Sequence, residues 1–176
     1  MKIVLHICCG VCAAGVVQTL TQEGHQVIGF FCNPNIHPAE EYHRRLEAAR
    51  RVAQELSFPL VTATYDPEVW LKETEHLKYE PEGGARCSVC FKIRLEKTYS
   101  YLKSCDADAF TTTLTISPHK SAITVNRIGQ EIGGDQFLAR DFKRKEGFRK
   151  AIQQARRWGL YQQNYCGCLY SIRQAT

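Results

Sequence analysis

The sequence lacks any long hydrophobic run. None of its segments approaches the roughly 18 consecutive apolar residues of a membrane span. We therefore expect no transmembrane segment and no membrane partner. It has no internal repeat and no low-complexity tract, which excludes repeat architectures. Residues 1–6 lead straight into cysteines, without the apolar core and cleavage site of a secretory signal peptide. We therefore expect a cytoplasmic protein.

The chain has 176 residues, enough to bury a core without disulfide bonds. A hydrophobic fraction of 44% and a charged fraction of 23% are typical of a globular protein. We expect residues 1–176 to form one domain. Cytoplasmic thiols stay reduced, so clustered cysteines in such a protein indicate metal or redox chemistry rather than structural disulfides.

Acidic residues are scarce in residues 140–157, where Asp141 and Glu146 are accompanied by eight basic residues. Eight positive and two negative charges give this stretch a net +6, whereas the whole chain carries +5. Such a basic face is expected where a polyanion binds, although a solvated helix face is the alternative. The predicted nucleic-acid-binding residues are Lys143, Arg144, Lys145, Arg149 and Lys150.

Short β-rich apolar runs alternate with segments of helical periodicity along the chain. The predicted strands are 2–8, 25–32, 58–63, 107–114 and 136–139. The predicted helices are 13–23, 39–56, 69–76, 85–102, 117–132 and 147–158, with Ser117 and Pro118 as N-cap and first helical residue. This alternation indicates an α/β fold, with a mainly parallel β-sheet flanked by helices.

In a parallel sheet of this kind, ligands bind at the carboxyl ends of the strands. The loops expected at that edge have the sequences CCGVC, CNPNIHP, TYDP, TISPHK and ARDFK. The first of them contains three cysteines. The site is therefore predicted where these loops meet.

Seven of the nine cysteines fall into three groups near the start, middle and end of the chain. The middle group is a CxxC, a spacing that lets two thiolates bind one metal or two irons of a cluster. The last group is a CGC, whose glycine permits the backbone to aim both sulfurs the same way. The groups are Cys8, Cys9 and Cys12, then Cys87 and Cys90, then Cys166 and Cys168.

Adjacent cysteines in a regular strand would point to opposite faces. Because the chain is expected to leave the strand at Gly10, Cys8 and Cys9 need not follow this rule. Cys12 is then expected on the first turn of the following helix, where the helix N-terminus favours a thiolate. Cys32 and Cys105 stand alone, and we expect them to be small buried apolar residues.

The number of cysteines restricts the choice of metal. Four thiolates complete a [4Fe-4S] cluster, and three remain for a second metal with an open position. Two tetrahedral structural zincs would need eight ligands, so a histidine such as His6 would have to join. We favour an iron–sulfur cluster with a second metal.

Seven motifs in order through nearly the whole chain resemble those of the cobalamin-independent epoxyqueuosine reductases, the QueH family. They are HICCGVC at 6–12, NPNIHP at 33–38 with EYHRRL at 41–46, EGGARCSVCFKIRL at 82–95, TTLTISPHK at 112–120, DFKRKEGF at 141–148, and GLYQQNYCGCLYS at 159–171.

The resemblance implies a fold related to the adenine-nucleotide hydrolases and ATP-pyrophosphatases (HUP-like). It also implies a [4Fe-4S] cluster with one additional iron ion beside it. The implied reaction is the two-electron reductive deoxygenation of epoxyqueuosine to queuosine at the wobble position of tRNA. Its partners would be tRNA carrying epoxyqueuosine and a low-potential electron donor.

With this resemblance, we expect Cys87 and Cys90 to bind the cluster with one cysteine from each of the pairs Cys8/Cys9 and Cys166/Cys168. The other member of each pair would bind the second iron together with Cys12. His119 and Lys120, at a helix start beside a strand end, are expected to contact a phosphate or polar substrate. Asp141 and Lys143 are expected to contact the modified base or a phosphate.

Three other functions are compatible with parts of the sequence. An ATP-dependent tRNA-modifying enzyme of the ATP-pyrophosphatase type would share the fold, but CCGVC replaces its Ser-Gly-Gly-rich phosphate loop and is a poor phosphate cradle. A non-enzymatic, zinc-stabilised RNA-binding module would be colourless and inactive. A thiol–disulfide oxidoreductase would leave five clustered cysteines unexplained.

Overall fold

Four parallel strands form the centre of the computed structural model, which describes residues 1–172. Their order across the sheet is β3-β2-β1-β4. In the central pair, Leu5 lies opposite Gly29, and on the other side of β1 His6 lies opposite Thr112. The strands are β1 (Lys2–His6), β2 (Gln26–Phe31), β3 (Leu60–Thr62) and β4 (Ala109–Thr112).

Helices connect the strands and cover the sheet. The α-helices are α1 (Gly10–Gln22), α2 (Ala39–Glu55), α3 (Pro67–Thr74), α4 (Ala85–Ser104), α5 (Ala122–Gly133) and α6 (Gly147–Arg157). Short 3₁₀ helices are Glu75–Leu77, Thr113–Ile116, Gly134–Gln136, Arg144–Glu146 and Leu169–Ser171. Within residues 1–172, the structure contains no helix with the length and apolarity that crossing a membrane would require.

The sheet is buried on both faces. Side chains alternate along β1, so Ile3 and Leu5 enter the core shared with α1, α2 and α6, while Val4 enters the core shared with α4 and α5. Burial on both faces explains why β1 is a continuous apolar run rather than an alternating one. The predicted α/β class and parallel sheet are confirmed.

Two local predictions are wrong. The predicted fifth strand, 136–139, contributes only an isolated bridge between Phe110 and Phe137, where the two rings pack edge-on 5.1 Å apart. The fifth helix starts at Ala122, not at Ser117. Ser121 is its N-cap and accepts the backbone N–H of Thr124 at 3.2 Å.

Ser117 instead accepts the N–H of His119 and closes a turn. Each serine hydroxyl thus accepts a backbone N–H two or three residues further along the chain. Only the bond made by Ser121 caps a helix.

Candidate metal centre and active site

Three cysteine sulfurs converge between β1 and α1. Because β1 ends at His6, the next residues leave strand geometry, and Cys9 adopts an extended conformation as the N-cap of α1. Its Sγ accepts the backbone N–H of Cys12 at 3.4 Å. The Sγ atoms of Cys8 and Cys9 are 3.9 Å apart, and all three sulfurs lie within 4.8 Å of one another. The strand thus ends two residues before Cys8, where the predicted strand ended.

Cys8 is the sulfur in this group best placed to carry negative charge. Hydrogen bonds from the thiols of Cys12 and then Cys9 hold the pKa of Cys8 well below its ordinary value, whereas the same bond to Cys8 raises the pKa of Cys12. The hydroxyl of Thr113 also donates to the Cys8 Sγ at 3.2 Å.

The other four grouped cysteines line one pocket. Cys87 and Cys90 lie on the first turns of α4, and Cys166 and Cys168 lie in the loop after α6. Backbone N–H groups are directed at their sulfurs: Gly83 donates to Cys87 at 3.2 Å, and Cys168 donates to Cys166 at 3.4 Å.

The Ser171 hydroxyl is 3.0 Å from the Cys166 sulfur. A hydrogen bond from the Cys168 thiol, more than any other contact, lowers the pKa of Cys166 to about 5. These contacts favour a thiolate at Cys166, whereas the hydrogen bond with Cys166 raises the pKa of Cys168 and burial raises that of Cys87.

A second pocket of about 570 Å³ adjoins the first and is lined by Cys8 and Cys12. The two pockets share Cys166, His119 and Lys120 in their walls. Loops after β1, β2 and β4 supply much of this lining, so the site lies at the carboxyl edge of the sheet, as predicted. Six of the seven grouped cysteines line these two pockets, and the seventh, Cys9, lies behind them with its sulfur 3.9 Å from that of Cys8.

Two buried cations face the four-cysteine pocket. Arg86 and Arg94 are each 3% exposed, and neither forms an ion pair within residues 1–172. Arg94 donates to the carbonyl of Cys90 and to the side-chain oxygen of Asn33, both at 3.3 Å. Arg86 donates through Nη1 to three backbone carbonyls, and its buried Nε has no hydrogen-bond partner among the described residues.

A buried charge is costly unless an opposite charge offsets it. Four thiolates and an iron–sulfur core together form an anion. A bound [4Fe-4S] cluster would therefore supply the negative charge that offsets the buried positive charges of Arg86 and Arg94. The donor atoms and the charge around this pocket therefore fit such a cluster.

The four predicted substrate-contacting residues separate into two pairs. His119 is exposed, Lys120 is half-buried, and both line both pockets. Asp141 and Lys143 are not among the lining residues. Lys143 Nζ donates to the carbonyls of Thr115 at 3.0 Å and Lys120 at 3.2 Å and lies 3.3 Å from Asp141. This second pair braces the loop that carries His119 and Lys120.

The predicted nucleic-acid-binding residues other than Lys143 are exposed. One of them, Arg149, forms an ion pair with Glu146 at 2.6 Å. On the inner side of α6, Phe148 and Ile152 line the second pocket. The basic outer face therefore borders this pocket. The exposed residues are Arg144, Lys145, Arg149 and Lys150.

A buried ion pair on α2 was missed by sequence reasoning. Arg45 Nε donates to Glu41 Oε1 at 2.6 Å, and both side chains are more than nine-tenths buried. The spacing of four residues within EYHRRL is a signal for this pair on a helix. The contacts of Arg45 with the loop that carries Cys166 are separated by more than 100 residues and leave no local signal.

His6 is unavailable as a metal ligand. Its Nδ1 is 2.9 Å from the hydroxyl of Thr112 and its Nε2 is 3.1 Å from the carbonyl of Cys32, so both ring nitrogens are occupied. Burial also lowers the pKa of His6 to about 4. The eight-ligand arrangement of two zincs that enlists this histidine is therefore not formed.

The lone cysteines are not among the residues that line the two pockets. Cys32 is buried, as predicted, and burial raises its pKa to about 11. Cys105 is only half-buried, near the end of α4.

Sequence comparison places the chain in a family. The family described as "Epoxyqueuosine reductase QueH" matches residues 3–174. The chain belongs to the QueH family of epoxyqueuosine reductases. It is 36% identical to "Epoxyqueuosine reductase QueH" of Streptococcus pyogenes serotype M1, covering 98% of this chain and 71% of that protein.

Two further relatives carry the same name. The QueH of Haemophilus influenzae is 36% identical over 99% of this chain and 73% of its own length. That of Thermotoga maritima is 31% identical over 97% of this chain and 90% of its own length. The family assignment therefore covers nearly the whole chain.

Structural comparison supports the expected fold. "U34-tRNA thiolase NcsA from Methanococcus maripaludis with its [4Fe-4S] cluster" aligns with a TM-score of 0.58 and 15% identity, covering 98% of this QueH chain and 62% of that one. A predicted tRNA methyltransferase subunit from Methanocaldococcus jannaschii aligns with a TM-score of 0.57 and 13% identity, covering 87% and 74%. At these identities the likeness concerns the fold alone.

Proposed function

We propose that this chain is an epoxyqueuosine reductase, which reduces epoxyqueuosine in tRNA to queuosine. The observation that carries the proposal is that six of the seven grouped cysteines line two adjoining pockets, with the seventh, Cys9, beside Cys8, in a member of the QueH family. Reduced cysteines and a tRNA substrate both suit the cytoplasm, where we place the enzyme.

The spacing of the sulfurs favours a division into four and three. Two thiolates bound tetrahedrally to one ion at about 2.3 Å lie roughly 3.8 Å apart, close to the 3.9 Å between Cys8 and Cys9. We therefore assign Cys8, Cys9 and Cys12 to the single iron. This proposal differs from the mixed division expected from the sequence, in which each terminal pair was split.

The cluster would then take the four cysteines of the first pocket. A [4Fe-4S] cluster spreads its thiolates over four irons, so they lie further apart than ligands of one ion. The pocket draws its cysteines from two segments, α4 and the loop after α6. The proposed ligands are Cys87, Cys90, Cys166 and Cys168.

The reaction consumes two electrons and two protons. Both carbon–oxygen bonds of the epoxide break, a carbon–carbon double bond forms, and the oxygen leaves as water. When bound, the cluster and the iron supply electron transfer and Lewis acidity at the epoxide oxygen. A low-potential electron donor must provide both electrons.

The residues of the second pocket would hold the modified base. Phe148 and Ile152 offer it an apolar wall, and Gln162 and Asn164 offer polar groups for its hydroxyls. His119 and Lys120, on the wall between the two pockets, are placed to donate the protons that leave with the oxygen. Asp141 and Lys143 would keep their loop in place.

The exposed basic residues beside this pocket would hold the tRNA backbone. Arg144, Lys145, Arg149 and Lys150 offer four positive charges next to the pocket wall formed by α6. Contacts of this kind with phosphates position a nucleic acid without reading its sequence. We do not include Lys143 in this role, because its ammonium donates to two backbone carbonyls of the protein.

Anaerobic turnover tests the function. The reconstituted protein is incubated with epoxyqueuosine-containing tRNA and a strong reductant, and the nucleosides are then analysed by mass. We expect queuosine, with no product when the reductant is omitted. Absence of queuosine from a protein with an intact cluster would refute the proposal, and turnover that requires ATP would favour an ATP-pyrophosphatase activity instead.

A further inference from the structure

Two segments far apart in the sequence meet at one buried side chain, Arg45. It projects from the second turn of α2 and is 2% exposed. Its Nη1 donates to the carbonyl of Cys166 at 2.9 Å, and its Nη2 donates to the carbonyl of Tyr165 at 3.0 Å. The planar guanidinium thereby grips two consecutive carbonyls of the loop that carries the CGC motif.

Further contacts lock the same arrangement. Glu41 accepts from Arg45 Nε on one side and from the Tyr161 hydroxyl, at 2.7 Å, on the other. The guanidinium carbon lies 5.1 Å from the centre of the Tyr165 ring. The backbone N–H of His37 donates to the carbonyl of Gly167 at 2.8 Å.

Gly167 fits this arrangement for two reasons. Its φ of +98° lies in the region that side chains rarely adopt. A Cβ there would also lie 2.8 Å from Arg45 Nη1 and 3.0 Å from Ile36. The glycine therefore permits the close approach of the guanidinium to the loop.

We propose that Arg45 is a positioning residue for Cys166, which it fixes in the wall shared by the two metal pockets. This proposal rests on the proposed function and adds a residue to it. Burial of an ion pair alone contributes little net stability, so stability is a weak reason for this pair. Its directional fork, by contrast, defines where one particular sulfur lies relative to both pockets.

Lysine at position 45 keeps the positive charge beside Glu41 but cannot hold two carbonyls at once. We therefore expect Arg45→Lys to fold, by circular dichroism and tryptophan fluorescence, while its metal affinity falls by about 10- to 100-fold. The electron paramagnetic resonance signal of the reduced cluster should change shape, and hydrogen exchange at residues 161–168 of the metal-free protein should speed up. The matched control is Arg51→Lys, on the exposed face of the same helix.

Gly167→Ala disturbs the contact between Arg45 and the CGC loop by adding a methyl group on the loop side. It serves as the test of the proposal if Arg45→Lys does not fold. It should reproduce the weakened metal binding and the altered signal. Wild-type iron content, signal shape and exchange in either folded variant would overturn the proposal. None of these measurements uses tRNA, so a failure to make queuosine would refute the function without touching this result.

Discussion

The hydroxyl oxygen of Thr113 both donates to the Cys8 sulfur at 3.2 Å and accepts the Cys8 backbone N–H at 3.1 Å. This reciprocal pair joins the end of β4 to the loop after β1, because His6 and Thr112 are register partners in the sheet. Sheet pairing thus places a neutral donor directly on a proposed iron ligand.

Replacing Thr113 with valine removes both bonds at nearly constant shape. The Cys8 N–H is left unpaired, which should lower the free energy of unfolding by about 1–3 kcal/mol. Iron affinity at the three-cysteine group should fall by about 10-fold or more, because the sulfur loses a supporting donor. Denaturant unfolding and iron titration of the variant measure the two effects.

Thr115→Val is the matched control. The Thr115 hydroxyl is buried and has no hydrogen-bond partner within residues 1–172, so its removal should change stability by less than about 1 kcal/mol and leave iron affinity unaltered. Equal losses in the two variants would mean that the Thr113 hydroxyl has no special relation to the metal.

Arg94→Gln should lower the reduction potential of the cluster. Arg94 lines the pocket proposed for the cluster. At an effective dielectric constant of about 20, a unit charge acting over a distance on the order of 8 Å would stabilise the added electron by about 2 kcal/mol, which is about 50–100 mV for one electron. A redox titration followed by electron paramagnetic resonance measures this shift. Lys92→Gln, which removes an exposed charge from the same helix, should leave the potential nearly unchanged. A similar shift in both variants would argue against a special role for Arg94.

Reversing two charges on α6, Arg149→Glu with Lys150→Glu, should weaken tRNA binding and reduce its dependence on salt. The salt dependence of affinity follows the number of phosphates neutralised, so each lost contact should lower the slope by about 1. Filter binding at several salt concentrations measures this. Lys97→Glu with Lys103→Glu on α4 changes the net charge equally and serves as the control. If both double variants bind tRNA with the same affinity and salt dependence, the effect comes from net charge alone, and the prediction that α6 contacts tRNA is wrong.

Much of the fold could be predicted because its signals are local. Apolar runs and helical periodicity located four strands and the helices between them. The fifth strand failed because Phe137 packs on Phe110 as a single bridge after a 3₁₀ turn. The start of α5 was misplaced because both Ser117 and Ser121 can cap, and only the folded chain shows which one does.

The site could be predicted only where the residue type itself indicates a function, as a cysteine indicates metal binding. The seven cysteines did so, and the rule for parallel sheets located the loops that hold them. The supporting residues did not, since Thr113 and Arg45 reach cysteines 105 and 121 positions away. The division of the sulfurs likewise depends on distances between them, which sequence spacing does not give.

The iron content of two cysteine variants tests the central claim most directly. After anaerobic reconstitution, the wild type should hold about five irons and about four sulfides per chain, the sum of a [4Fe-4S] cluster and one iron. Cys12→Ala should lose about one iron and keep the Mössbauer and electron paramagnetic resonance signatures of the cluster, whereas Cys90→Ala should lose the cluster. Loss of the whole cluster from Cys12→Ala would contradict the division of the seven cysteines into four and three.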